Sequence, residues 1–312
     1  MSDHWTTEKM PKLDGRHAFV TGANSGIGLR ATEALAEAGA TVHMGCRDPS
    51  RAAHAVAEVR DRNPDAKVEV VQLDLADLSS IEHAAAEITA RPEPLDLLVN
   101  NAGVMATPYM QTEDGFELQL GTNHLGHFAL TGRLLDKLLA ADAARVVSVA
   151  SLAHRQGKMD FDDLNWEHSY SRWGAYGRSK LANLLFTFEL DRRLRERDVA
   201  ALAVACHPGY SATNLQSAGP GEGTLGLVLK PALKVANVFL AQSDEMGALP
   251  TLYAATAPDV VGGDYIGPDG IGQSRGHPTK VDCSSRARNT DDARRLWEVS
   301  VELTGVDYAA LA

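Results

Sequence analysis

A chain of 312 residues with 44% hydrophobic and 23% charged residues is long and apolar enough to bury a full core, and disorder is excluded. Thirty Lys and Arg against 41 Asp and Glu leave a net charge of −11, which argues against a surface that coats nucleic acid or anionic lipid. Cys46, Cys206 and Cys283 are widely spaced and form no CxxC, so a reducing compartment is expected rather than a disulfide framework or a cysteine zinc site. Met1–Pro11 is polar, and no run approaches the roughly 20 apolar residues that span a bilayer. The expectation is a cytoplasmic protein with no stable membrane insertion and no nucleic-acid partner.

The pattern along the chain alternates between short β-branched runs and longer stretches of helical periodicity. Strands are predicted at 17–21, 41–45, 67–73, 95–100, 145–150 and 199–206, with a short one at 264–266. Helices are predicted at 27–38, 50–62, 79–90, 115–139, 175–197 and 291–303. Gly39 supplies a stop for the first helix and Asn63-Pro64 for the second. Repeated strand–helix units imply right-handed crossovers and a doubly wound, mostly parallel α/β sheet with helices on both faces. No repeat or linker divides the chain, so one domain is expected over 1–312. Insertions on its substrate side are placed at about 152–175 and 212–240.

Residues 21–28 read Thr-Gly-Ala-Asn-Ser-Gly-Ile-Gly, directly after the first strand and directly before the first helix. Gly22 can take a turn that a side chain opposes, Gly26 lets the backbone approach a pyrophosphate, and Gly28 permits close helix–strand packing. Gly22, Asn24, Ser25, Gly26, Ile27 and Gly28 are therefore assigned to cofactor binding, with phosphate at the positive helix end. At the end of the second strand, where an acid would bond the 2′-hydroxyl of NAD, stand Cys46, Arg47 and Asp48. A guanidinium at Arg47 suits a 2′-phosphate, so NADP(H) is expected over NAD(H). In the competing reading Arg47 is solvated and Asp48 turns back to the ribose. Asp74 and Leu75, ending the third strand, either border the adenine or cap the next helix.

Tyr176 and Lys180 are four residues apart on a helix and share a face. An ammonium and a positive nicotinamide nearby would lower the phenol's pKa, fitting Tyr176 to exchange a proton with a carbonyl or alcohol as hydride moves. Ser151 ends the fifth strand, where its hydroxyl can bond a substrate oxygen. Asn101, Ala102 and Gly103 end the fourth strand with small residues that let a cofactor lie close. Asn123, mid-helix, calls for a water or carbonyl partner, or is a satisfied structural amide. His124, His127 and His154 lack a carboxylate or thiol at ligand spacing, so no metal site is expected. Leu152, Met159, Trp166, Tyr170, Trp173, Tyr210, Leu215, Leu225 and Leu229 suit a lipophilic small-molecule substrate; Trp166 and Trp173 equally suit anchoring of the insertion. The apolar stretch 225–240 reads as a lid or as a weak membrane-surface element, and its few cations favour the lid.

In this order, TGANSGIG at 21–28, NNAG at 100–103, Asn123, Ser151, YGRSK at 176–180, and HPG at 207–209 with Thr213 resemble a short-chain dehydrogenase/reductase over nearly the whole chain. The 161–166 insertion, Cys46-Arg47 and the 265–270 segment look like the retinol-dehydrogenase and protochlorophyllide-reductase-like branch. The resemblance implies a catalytic tetrad of Asn123, Ser151, Tyr176 and Lys180. In it Ser151 polarises the substrate, Tyr176 is acid/base, Lys180 assists it and Asn123 supports a water relay. It also implies that Pro208 and Gly209 border the nicotinamide with Thr213 near its carboxamide. The helices holding Asn123 and Tyr176 would form the interface of a homodimer or homotetramer. A non-catalytic NADP(H)-binding sensor or scaffold is the reading from another class; it would keep the glycine turn and lose catalytic groups, yet all four tetrad types stand.

Overall fold

The computed structural model describes residues 4–210 and 242–311; Thr213 and the 212–240 insertion lie outside them. Its eight strands are β1 (His17–Thr21), β2 (Thr41–Cys46), β3 (Val68–Gln72), β4 (Leu97–Asn100), β5 (Arg145–Val149), β6 (Leu202–Cys206), β7 (Tyr265–Pro268) and β8 (Pro278–Lys280). They form one sheet in the order β3-β2-β1-β4-β5-β6-β7-β8. All neighbours pair parallel except β8, which runs antiparallel to β7. The order reverses between β1 and β4, the switch point at whose carboxyl edge open α/β sheets bind ligands.

Successive strand residues point to opposite faces, and the sequence uses both. Ala18, Val20, Val42, Met44, Val99 and Val147 face one apolar layer, where α1 (Gly26–Glu37) and α2 (Pro49–Arg62) pack. Phe19, Leu98, Val146 and Ala203 face the other, covered by α3 (Leu78–Thr89), α5 (Gly126–Arg133), α6 (Leu135–Leu139) and α7 (Arg172–Glu196). Caps set the helix starts: Asp48 accepts from the Ser50 and Arg51 amides, and Asp77 from those of Ser79 and Ser80.

Three elements depart from the sequence reading. The single helix expected over 115–139 is broken. One turn, α4 (Leu118–Leu120), is followed by a π-turn over Gly121–Leu125, where the Gly126 amide reaches back to the Gly121 carbonyl, and then by α5. Leu134 leaves helical geometry and separates α5 from α6. The sequence reading missed α8 (Asp244–Thr256), which is buried from Gly247 to Leu252 and contains Pro250; it packs on α1 and the sheet and has no polar stripe to reveal it. It also missed β8, whose three residues are too few to carry a period. The amphipathic helix near the end is α9 (Thr290–Thr304), stopped by Gly305 in the left-handed region.

Candidate active site

The carboxyl ends of β1, β2, β4 and β5 open onto one cavity of about 700 Å³. Its lining unites Gly22, Asn24, Ser25, Gly26, Ile27 and Gly28 with Arg47, Asp74 and Leu75, with Asn101, Ala102 and Gly103, and with Ser151, Tyr176, Lys180 and Pro208. Thus the sequence-assigned residues within the described chain meet in one place, save two. Asn123 stands behind the lining, and Gly209 lies beyond it with φ +72°, where a Cβ would overlap the Ser274 carbonyl oxygen.

The glycine turn is built for close approach. Gly22 and Gly26 hold φ of +66° and +54°. A Cβ at Gly28 would overlap the Gly22 carbonyl oxygen and press on the Asn101 side chain, which itself donates to the Thr21 carbonyl at 2.8 Å. Ser25, the N-cap of α1, makes no side-chain capping bond, so the first amides of α1 face the cavity as anion donors. These features fit a dinucleotide pyrophosphate. At the far end Arg47 is 72% exposed and lies 3.9 Å from Asp74 Oδ2. Asp48 also lines the cavity, with its Oδ1 capping α2 by accepting from the Ser50 and Arg51 amides. Asp74 bonds the Ala76 amide, and the cap of α3 is Asp77. Arg51 also lines the cavity. Sequence reasoning missed it; the signal was its place one turn into α2, four residues after Arg47.

At the near end Tyr176 and Lys180 project from α7 beneath Ser151. Lys180 Nζ donates to the Val149 carbonyl at 2.9 Å and stands 5.9 Å from the Tyr176 ring. Burial brings the Lys180 ammonium down to about 8. The Tyr176 phenol departs from expectation: burial pushes it above its ordinary value, and only a hydrogen bond shared with Ser151 pulls it down. The reason is geometric, because the ammonium is aimed at a carbonyl and not at the phenol. Asn123 accepts from the Val104 amide at 2.8 Å and donates to the Val104 carbonyl and Ser179 Oγ, each at 2.9 Å. It therefore fixes the loop that follows Gly103.

The histidines weighed as ligands are used as hydrogen-bonding groups. His124 pairs with Ser300 Oγ, His127 with Thr21 Oγ1 and the Asn123 carbonyl, and His154 with the Ser151 carbonyl and Ser284 amide. Among the described residues, His4, Asp269 and His277 do bring ligand-type atoms within 4.8 Å of one another, outside the cavity lining. On the substrate side Trp166 lies under the Arg178 guanidinium at 4.2 Å and anchors the insertion. Met159, half-buried, packs against the core from outside. Trp173 is 53% exposed and meets the Tyr176 ring edge-on. The sequence reading missed Met105, which lines the cavity from the loop after β4. Pro208 and Tyr210 are tied to the chain's return: the Gln242 amide donates to the Tyr210 carbonyl at 3.0 Å, its side chain to the Pro208 carbonyl.

The family model for short chain dehydrogenases matches residues 16–220. The chain belongs to the short-chain dehydrogenase/reductase family. Within that family it is similar to human retinol dehydrogenase 13, at 41% identity over 95% of this chain and 86% of the relative. Mouse retinol dehydrogenase 12 is 40% identical over 95% of this chain and 89% of the relative. These matches place this dehydrogenase/reductase in the retinol dehydrogenase branch. Among solved structures, an uncharacterized protein from Mycobacterium Paratuberculosis superposes with a TM-score of 0.81 at 41% identity, covering 98% of this chain and 99% of that one. A Beutenbergia cavernae protein solved with NADP bound at low occupancy superposes at 0.63 with 26% identity, covering 81% of this chain and 95% of that one.

Proposed function

We propose that this enzyme uses NADP(H) to interconvert a carbonyl and an alcohol on a lipophilic small molecule. The observation that carries the reading is the single cavity running from Arg47 past the glycine turn to Ser151, Tyr176 and Lys180. Support for NADP(H) comes from Arg47 and Arg51 at its outer end and from the relative solved with NADP. Support for a lipophilic substrate comes from the relatives' being retinol dehydrogenases, from Met105 in the cavity lining and from Trp173 against the Tyr176 ring. Trp173 is 53% exposed. The buried free thiols Cys46 and Cys206 support a cytoplasmic location.

When bound, NADP(H) supplies the hydride. The Ser151 hydroxyl bonds the substrate oxygen and orients it toward the phenol. Tyr176 gives that oxygen a proton in reduction and takes it back in oxidation. Its raised pKa keeps it protonated before reduction, and the hydrogen bond from Ser151 favours the phenolate left afterwards, while Lys180 is held on the Val149 carbonyl. Asn123 holds the Gly103–Val104 backbone, which would border the cofactor and help to keep it in place beside Ser151 and Tyr176.

Titration with NADPH and NADH, followed by a panel of apolar aldehydes and ketones, tests the reading. At least tenfold tighter NADPH binding and turnover of an apolar carbonyl are expected. Equal affinity for both cofactors sinks the cofactor assignment, and tight binding without turnover across the panel turns the reading toward a sensor.

A further inference from the structure

His154 follows Ser151 in the short turn Leu152–Arg155 and is buried. Its Nδ1 lies 2.7 Å from the Ser151 carbonyl oxygen and its Nε2 3.1 Å from the Ser284 amide nitrogen. A backbone N–H only donates, so Nε2 must accept and the ring's proton must sit on Nδ1. Nδ1 then donates to Ser151. The tautomer thus follows from the two partners. Ser151 itself also caps this turn, its hydroxyl accepting from the Ala153 amide at 3.2 Å. Tyr265 meets the His154 ring edge-on at 5.7 Å and packs on His207, 5.2 Å away, which precedes Pro208 and Gly209. The imidazole is therefore a strut between the residue that meets the substrate and the 281–284 segment, with the Pro208–Gly209 turn beyond Tyr265.

We propose that His154 is a positioning residue: as the neutral Nδ1–H tautomer it clamps the Ser151 main chain to the Ser284 amide, and so holds the Ser151 hydroxyl against the Tyr176 phenol. It rests on the reading of Ser151 and Tyr176 as the substrate-facing pair. A side chain that filled the space but lost the Nδ1 donor would let the Ser151 carbonyl turn, and the hydroxyl with it. The phenol would then lose the hydrogen bond that stabilises its ionised form.

Two replacements separate the two ends of the strut. The amide nitrogen of His154→Asn stands near the place of Nδ1 and keeps the bond to Ser151. The longer His154→Gln reaches the place of Nε2 and keeps the bond to Ser284. Ultraviolet difference titration of each protein against its Tyr176→Phe counterpart isolates the Tyr176 phenol. Circular dichroism marks the pH limit of the fold. The Asn protein is expected to ionise at the wild-type pH and the Gln protein about one pH unit higher, a tenfold loss of acidity. With a carbonyl that the wild type reduces, kcat is expected to fall about tenfold in the Gln protein and less than threefold in the Asn protein, with NADPH affinity unchanged in both. Equal shifts in the two proteins, or none in the Gln protein, overturn the proposal. Nitrogen-15 NMR of the wild type is a test that no folding defect can blur: His154 must show the Nδ1–H tautomer, and the Nε2–H tautomer overturns it. Should the wild type reduce no carbonyl, the functional reading fails, while the titration and the tautomer still decide this one.

Discussion

Removing one oxygen atom separates the two things Tyr176 does, lining the cavity and moving a proton. Tyr176→Phe keeps the ring that Trp173 and Lys180 contact and loses only the hydroxyl. Turnover is expected to fall about 10²- to 10⁴-fold, the usual weight of a positioned acid/base, with NADPH affinity within about threefold. A variant retaining a tenth of its turnover refutes the acid/base role. At the other end, Arg47→Ala removes a charged donor for a phosphate, worth about 1.5–3 kcal/mol. NADPH affinity should drop about 10- to 100-fold while NADH affinity changes less than about threefold, and equal losses for both would place Arg47 elsewhere in recognition. The residues that carry these predictions were legible because their signals are local: a glycine turn between strand and helix, and four-residue spacing on one helix. The partners of Asn123 were not legible, since Val104 and Ser179 reach it only through the π-turn.

Helix α9 and the residues after it close the outer face of α5 and α7. Trp297 packs on Phe128 and Phe186, Tyr308 donates to the Phe128 carbonyl at 2.7 Å, and Arg193 lies over the Trp297 ring at 4.3 Å. Pairing of two chains through this face, which the family resemblance implies, would have to displace that aromatic cluster. Trp297→Ala is expected to cost about 3–5 kcal/mol, as for a large core aromatic cut back to alanine, read as a lower urea midpoint. A loss below about 1 kcal/mol would mean that α9 rests on the body rather than completing its core. The helix itself was readable from its apolar stripe. Its place against α5 was not, because contacts between residues about 170 positions apart leave no trace in local periodicity.

Burial of imidazoles makes the whole molecule sensitive to acid. His43 and His127 are pulled down to about 4, and His124 and His207 to about 3, each chiefly by burial. An unfolded chain takes up these protons as pH falls below about 6.5, while the folded chain does not until pH 3–4. Stability is therefore full above pH 6.5 and lost on acidification. At about 1.4 kcal/mol per pH unit each, four groups together approach about 5.6 kcal/mol per unit, comparable to the total stability of a domain. The urea midpoint should fall steeply between pH 6.5 and 5, and an unchanged midpoint would show these rings already hydrated in the fold. A different consequence lies in the bonds that join Gln242 to Pro208 and Tyr210. Tyr210 and Gln242 meet at one point, so the two ends of the stretch that joins them are already brought together by the frame. Doubling the length of a connection between ends so held costs only about 0.6 kcal/mol. A change in the length of that connection is therefore expected to leave the joint at Pro208 and Tyr210 in place.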